Sequence, residues 1–168
     1  MSTRRRIGRG SVVGELRVAK ALAAVQFDRF GRFLDNSGCQ EPIYICPARL
    51  LGDVFEFKAI IQELVRVVKF VQPDIIAGIP SLGLAFSGAV SLACEIPSII
   101  ARGTPEDHGE GTALQGTYSA GQTVLVLDDA TGDGTTKRAC IDQLLAAGLI
   151  VTDVLVVWQC DNLNYAHA

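Results

Sequence analysis

The cysteines of this sequence form no close pair. There are five of them, an odd number, scattered among 168 residues without the spacing of metal ligands. They are Cys39, Cys46, Cys94, Cys140 and Cys160. Disulfide frameworks usually contain an even number of cysteines, and structural zinc sites contain closely spaced cysteine pairs. We therefore expect neither a disulfide framework nor a zinc site, and no metal ion bound by the protein alone. Cys94 and Cys140 lie in apolar helical contexts and are predicted core residues.

Long apolar runs and a strong charge are also absent. Although 49% of the residues are hydrophobic, no stretch free of charged and turn residues is long enough to span a membrane. The net charge of −3 argues against a surface that is mostly a nucleic-acid footprint. The arginine-rich start is not followed by the apolar core of a signal peptide. We therefore expect no membrane or nucleic-acid partner, and a cytoplasmic location.

The order of apolar patterns predicts the fold class. Helical spacing alternates with short, continuous apolar runs, as in an α/β protein. We expect helices at about 11–27, 53–70, 84–94 and 137–147, and strands at about 75–80, 98–102, 124–127 and 151–158. The prediction is one domain, 1–168, with an open, mainly parallel sheet flanked by helices. It would comprise a basic tail (1–10), a helix and a small hairpin (about 11–50), and an α/β core (about 51–160).

Residues 124–137 read V-L-V-L-D-D-A-T-G-D-G-T-T-K. Four apolar positions run into Asp128 and Asp129, which places both carboxylates at the C-terminal edge of a strand buried on both faces. Ligands bind at that edge of open α/β sheets, and the start of the following helix attracts anions. Carboxylates accept hydrogen bonds from a diol or bind a bridging metal. A sugar phosphate meets both demands, whereas a plain strand-to-helix turn with solvated acids is the simpler alternative.

This segment resembles the ribose-phosphate signature of the type I phosphoribosyltransferases. The resemblance implies that Asp128 and Asp129 hold the ribose hydroxyls and that the following loop surrounds the 5′-phosphate. The residues expected to contact that phosphate are Thr131, Gly132, Gly134, Thr135 and Thr136.

A second turn, from Gly78 to Gly83, also places glycines and a helix start after a strand. Such turns bind anions. In the family the matching loop holds pyrophosphate, so the resemblance implies that role for Gly78, Ser81 and Gly83. Leu82 departs from the small or polar residue that is common there.

The N-terminal half resembles the orotate phosphoribosyltransferases more narrowly. F-G-R-F at residues 30–33, S-G at 37–38 and P-I-Y at 42–44 match the region whose hairpin forms a hood over the pyrimidine. The resemblance implies that Tyr44 faces the base. Without it, Tyr44 would be an ordinary half-buried strand aromatic. Asn36 stands where the family usually has a lysine.

A glycine-rich, charged loop at residues 103–117 resembles the lid of the same enzymes. Arg102, His108 and Gly109 match the lid pattern, and the resemblance implies catalytic roles for Arg102 and His108 beside Asp128 and Asp129. Four other positions depart from the family. Gly103 and Glu106 replace two lysines, Cys160 replaces an arginine, and Asp133 lies in the presumed phosphate loop.

Two hypotheses follow. The first is an enzyme that transfers ribose 5-phosphate from phosphoribosyl diphosphate to orotate or another nitrogenous base and releases pyrophosphate. The resemblance implies Mg²⁺ bound to the substrate, and a homodimer. The second is a catalytically impaired relative that binds a nucleotide or sugar phosphate as a regulator. The missing lysines favour the second, because the leaving pyrophosphate needs cations, unless others such as Arg32, Arg49 or Lys137 supply the charge.

Overall fold

A computed structural model describes residues 12–34, 40–102, 114–131 and 135–159. Several predicted features lie outside these ranges: the basic tail, Asn36, Gly103, Glu106, His108, Gly109, Gly132, Asp133, Gly134 and Cys160. The chain divides into a unit of residues 1–63 and a unit of residues 64–168. The single-domain organisation stays a prediction.

The N-terminal unit contains a helix, a hairpin and a short 3-10 helix. Their bounds are α1 (Val12–Ala24), β1 (Asp28–Leu34), β2 (Gln40–Ile45) and the 3-10 helix (Pro47–Gly52). β1 and β2 pair antiparallel, with Asp28 opposite Ile45 and Leu34 opposite Gln40. A register shift between Phe30 and Phe33 interrupts the ladder. The helix and the hairpin predicted in this region are thereby confirmed.

The C-terminal unit contains five strands in the order β5-β4-β3-β6-β7, among the residues that the structure describes. The strands are β3 (Ile75–Gly78), β4 (Ser98–Ala101), β5 (Leu114–Gln115), β6 (Thr123–Thr131) and β7 (Ile150–Gln159). The helices are α3 (Leu82–Cys94) and α4 (Thr135–Ala146). Only β5 runs antiparallel to its neighbour, whereas β4, β3, β6 and β7 pair parallel. The predicted open, mainly parallel sheet is confirmed.

The middle of this sheet is the core of the C-terminal unit. Residues 124–127 of β6 and Ile75, Ile76 and Ala77 of β3 are buried almost completely. Because both faces of these strands are covered, side chains on both faces are apolar, and the sequence does not alternate between apolar and polar residues. Cys140 of α4 is fully buried in the same core, as predicted, whereas Cys94 is only partly buried.

The helix α2 (Val54–Val71) crosses the boundary between the two units and is amphipathic. Ile60, Leu64 and Val68 are buried, while Lys58 and Arg66 are exposed. The predicted helix is confirmed within one residue at each end. In the described ranges, no helix has both the length and the apolar character to cross a membrane.

Several sequence-based boundaries differ from the structure, and two of them concern the sheet edge that carries the predicted site. The predicted loop 103–117 includes strand β5, a two-residue strand too short to produce a periodic pattern. β6 does not end before Asp128 but continues to Thr131, because β7 keeps pairing with it. The pairing of β6 with β3 stops at Leu127 opposite Gly78. Asp128 and Asp129 therefore lie where β6 is paired on one side only.

Gly148 terminates α4, as the sequence indicates. The Gly148 N–H donates to the Leu145 carbonyl at 3.0 Å and the Leu149 N–H donates to the Leu144 carbonyl at 3.1 Å. Gly148 has φ of +78°. These two bonds and the left-handed glycine form a Schellman motif, which gives the last helical carbonyls their partners.

Candidate functional site

Two glycines allow α3 to approach the carboxyl ends of β3 and β6. A Cβ atom on Gly83, in the first turn of α3, would lie 2.7 Å from the Leu127 carbonyl oxygen and 3.1 Å from the Asp128 Cα. A Cβ atom on Gly78 would lie 2.2 Å from Ser87 Oγ. Neither position has room for a side chain. The structure therefore brings Gly78, Gly83 and Asp128 together at one edge of the sheet.

Ser81 directly precedes α3 and its side chain is exposed. Its hydroxyl makes no capping hydrogen bond, and the Pro80–Ser81 peptide bond is cis. The next residue, Leu82, is buried, which accounts for an apolar side chain at a position where the family often has a small or polar one. An exposed hydroxyl at a helix N-terminus can donate to an anion. The pyrophosphate-binding role of Ser81 stays a prediction.

Asp128 is buried, with 5% of its surface exposed, and forms an ion pair that the sequence did not reveal. Its Oδ2 lies 2.7 Å from Lys137 Nζ, and its Oδ1 accepts a hydrogen bond from the Asp129 N–H at 2.9 Å. Lys137 Nζ also donates to the Ala130 carbonyl. The first turn of α4 is therefore tied to the end of β6 at two points.

The sequence analysis named Lys137 only as one of several cations that could replace the missing lysines near the leaving pyrophosphate. A signal for its role existed, because a cation in the first turn of a helix is opposed by the helix dipole. A lysine kept there indicates a nearby anion. The predicted helix start at residue 137 already put this lysine in the first turn, and the structure begins α4 two residues earlier, at Thr135.

The pKa of Asp128 is raised from its ordinary value of 3.8. Burial is the largest cause, and it outweighs the Lys137 ammonium and the Asp129 N–H, which both lower the pKa. Burial and the Asp128 charge also raise the pKa of the Cys140 thiol, whose Sγ donates to the Ala101 carbonyl at 3.2 Å. Lys137 thus partly offsets the cost of a charged carboxylate in a nearly dry position.

Asp129 is more accessible than Asp128. It is partly exposed, and its Oδ1 accepts a hydrogen bond from the Ala130 N–H at 2.8 Å. Because an ionised carboxylate accepts about four hydrogen bonds, the two acids keep the capacity to bind ribose hydroxyls. Thr135 and Thr136 are exposed in the first turn of α4. Thr131 ends β6, at the edge where the predicted phosphate loop begins.

Arg102 lies at the same edge of the sheet, directly after β4. Its Nη2 donates to Gln115 Oε1 at 3.3 Å, across the β4–β5 pair. Tyr44 lies on β2 of the N-terminal unit and is 46% exposed, with its ring centroid 5.4 Å from that of Phe33. The catalytic role of Arg102 and the base-facing role of Tyr44 stay predictions.

The described residues at this edge include two carboxylates, those of Asp128 and Asp129, as potential metal ligands. Throughout the described part of the chain, no three His, Cys, Asp or Glu side chains are grouped so that they could hold a metal ion. Asp128, the most buried carboxylate here, already has a lysine as its counter-ion.

Comparison with known proteins finds similar enzymes but no matching family model. No family model matches the chain. The orotate phosphoribosyltransferase of Sinorhizobium medicae is 30% identical over 160 residues, which cover 90% of this chain and 68% of that protein. The bifunctional enzyme PyrF/PyrE of a Nostoc species is 30% identical over 127 residues, or 76% of this chain. The chain spans about a quarter of the length of that enzyme, 27%.

A solved structure agrees with these relatives. The UMP synthase of Leishmania donovani superposes with a TM-score of 0.75 at 32% identity, covering 90% of this chain and 32% of that one. In this chain Asp128, Asp129 and the turn at residues 78–83 lie at the carboxyl edge of the sheet. The chain belongs to the orotate phosphoribosyltransferase family.

Proposed function

We propose that the protein transfers ribose 5-phosphate from phosphoribosyl diphosphate to orotate and releases pyrophosphate. The observation that carries this proposal is the contact between Gly83 and Asp128. This contact brings the turn that is proposed to bind pyrophosphate next to the acids that are proposed to bind ribose. Pyrophosphate and ribose are adjacent groups of phosphoribosyl diphosphate. The alternative of a non-catalytic regulator is not favoured, because the relatives are named as enzymes.

The two ends of the substrate would be held separately. Remaining lone pairs of Asp128 and Asp129 accept hydrogen bonds from the ribose hydroxyls, and the start of α4, with Thr135 and Thr136, binds the 5′-phosphate. The turn at residues 78–83 binds the diphosphate. Fixing the ribose at both ends orients its C1 atom toward the incoming base, which converts an encounter between two molecules into a step within one complex.

The bond change itself needs little covalent chemistry from the protein. The bond between C1 and the diphosphate oxygen breaks, and its electron pair leaves with pyrophosphate. A ring nitrogen of the base forms the new bond to C1, and the proton of that nitrogen passes to water or to the leaving pyrophosphate. Negative charge develops on the leaving group and is stabilised by aimed donors and cations. Mg²⁺ would arrive bound to the diphosphate. Arg102 and His108 are the proposed groups of the lid that would stabilise this charge.

Two further proposals concern residues of the N-terminal unit. Tyr44 is proposed to face the orotate ring. Three apolar side chains within five residues are strongly exposed: Leu51, Val54 and Phe55, the last with 81% of its surface accessible. Exposed apolar groups of this kind mark interaction surfaces, and we propose that a second copy of the chain covers them. Light scattering would then give a dimer mass, and a monomer mass would refute this part. The proposed compartment is the cytoplasm.

Titration with phosphoribosyl diphosphate and Mg²⁺, followed by assays of pyrophosphate release, tests the proposal. Release should depend on orotate, and Asp129→Asn should lower it by roughly a hundredfold, the size of losing one key polar contact in a transition state. Asp142→Asn, which changes an exposed carboxylate of α4, is the matched control. Binding without turnover would overturn the transferase activity. Failure to bind would overturn the sugar-phosphate site as well.

A further inference from the structure

Lys137 occupies a position that is unfavourable for a lysine. Its side chain is only 13% exposed and lies in the first turn of α4, where the helix dipole repels a cation. Lysine is strongly hydrated and is rarely buried without a partner. Helix propensity and packing therefore do not account for its placement. Its contacts must account for it.

Those contacts join two parts of the proposed site. Among the described residues, two of the three ammonium N–H groups have partners, Asp128 Oδ2 and the Ala130 carbonyl. Both partners belong to the end of β6, whereas Lys137 belongs to α4. The ammonium thus links the two elements on either side of residues 132–134. Ribose would bind at the first element and the 5′-phosphate at the second.

We infer that Lys137 is a positioning residue, which holds Asp128 as an oriented carboxylate beneath the ribose and keeps the strand end at a set distance from the phosphate-binding helix start. This inference rests on the proposed function. It assigns Lys137 no contact with substrate.

The surroundings of Asp128 explain why a counter-ion is needed. Gly83 of α3 covers the carboxylate on one side, with Asp128 Oδ1 at 3.2 Å from the position of a Cβ there. Within the described ranges, the titratable groups that face it are Asp129, Lys137 and the Cys140 thiol. Of these only Lys137 is a cation. Without it, burial and the hydrogen bond with the Asp129 side chain would both favour a protonated Asp128, which accepts fewer hydrogen bonds.

Calorimetric titration of Lys137→Met with ribose 5-phosphate, and separately with inorganic phosphate, tests the inference. We expect affinity for ribose 5-phosphate to fall about tenfold near neutral pH, the effect of one charge-assisted hydrogen bond. Affinity for inorganic phosphate should change no more than in Arg138→Met. That control removes a charge from the next residue, whose side chain is exposed. Lys137→Arg should restore most of the affinity.

A pH profile separates positioning from a purely structural role. In Lys137→Met the acid limb of kcat/KM should move to higher pH, and in Arg138→Met it should stay in place. If Lys137→Met does not fold, as judged by circular dichroism, Lys137→Gln keeps a donor while removing the charge and should give the same shift.

The outcomes distinguish the inference from the proposed function. If the unaltered protein binds neither ribose 5-phosphate nor phosphoribosyl diphosphate, the proposed function fails and the inference fails with it. If the unaltered protein binds and Lys137→Met matches Arg138→Met in affinity and pH profile, only the positioning role is overturned. A selective loss of ribose 5-phosphate binding supports both.

Discussion

The central strands β3 and β6 have an aspartate near each edge of the sheet: Asp74 near their amino ends and Asp128 near their carboxyl ends. Each aspartate has a polar partner at 2.7 Å, but the pKa values of the two carboxyl groups shift in opposite directions. At the amino end, exposed Asp74 accepts from the Thr123 N–H and hydroxyl, and its pKa is lowered by these bonds. At the carboxyl end, Asp128 contacts Lys137, yet burial raises its pKa. Hydration decides the direction of the shift. The amino end stabilises the fold, whereas the carboxyl end retains an unfavourable buried charge, as functional sites often do.

Breaking the ion pair at the carboxyl end should have the largest effect. Lys137→Met leaves the Asp128 carboxylate nearly buried without a counter-ion, so the free energy of unfolding should fall by about 3 kcal/mol, the lower end of the range for a broken buried pair. Urea unfolding measures it. Arg138→Met should change the free energy of unfolding by less than about 0.5 kcal/mol, as exposed substitutions usually do. Equal effects of the two substitutions would contradict a buried, energetically coupled pair.

The close approach of α3 to β6 can be broken without changing a charge. Gly83→Ala places a methyl group against the Leu127 carbonyl and the Asp128 backbone, and overpacking of this kind costs about 1–3 kcal/mol. Gly88→Ala is the matched control in the same helix, because nothing lies within 4 Å of a Cβ there. The control should stabilise α3 by about 0.5–1 kcal/mol through helix propensity. Thermal unfolding that shifts both variants in the same direction would show that the contact is looser than described.

The pH dependence sharpens the comparison further. Asp128 binds its proton more tightly in the folded chain, so its contribution to the free energy of unfolding declines as pH rises above 3.8. Lys137→Met should raise the pKa of Asp128 further, because it removes the ammonium that favours the charged carboxylate. The destabilisation by Lys137→Met should thus be larger near neutral pH than in acid, where Asp128 is protonated in both proteins. A penalty that does not vary with pH would show that Lys137 does not act through the Asp128 charge.

The smallest effect is expected at the amino end. Asp74→Asn keeps an oxygen acceptor but removes the charge, and Asp74 is exposed, so only a slight fall in Tm is expected. Because the folded pKa of Asp74 is lowered, its contribution is present above pH 3.8 and is lost as the pH falls. The variant and the unaltered protein should then converge in acid. A Tm difference that grows in acid would contradict a lowered pKa at Asp74.

Much of the fold and part of the site could be predicted from local patterns. The run from Val124 to Leu127 predicted a strand buried on both faces because its apolar residues do not alternate. Helical spacing predicted α2 and α4, and Gly148 predicted the end of α4. These features depend on periodicity and on the conformational range of single residues, which neighbouring sequence determines. The resemblance to a family added the proposed roles of Asp128, Asp129 and the turn at residues 78–83.

Other features depended on contacts between elements and were decided by the tertiary structure alone. β6 extends to Thr131 because β7 pairs alongside it, and β5 exists because β4 offers a free edge. The same is true of the Asp128–Lys137 pair. The sequence by itself determined that two carboxylates follow a buried strand and that a lysine comes nine residues later. Only the packing of α3 and α4 against the end of β6 removed water from Asp128 and placed the Lys137 ammonium beside it. These two changes matter because hydration and distance set the strength of an interaction between charges.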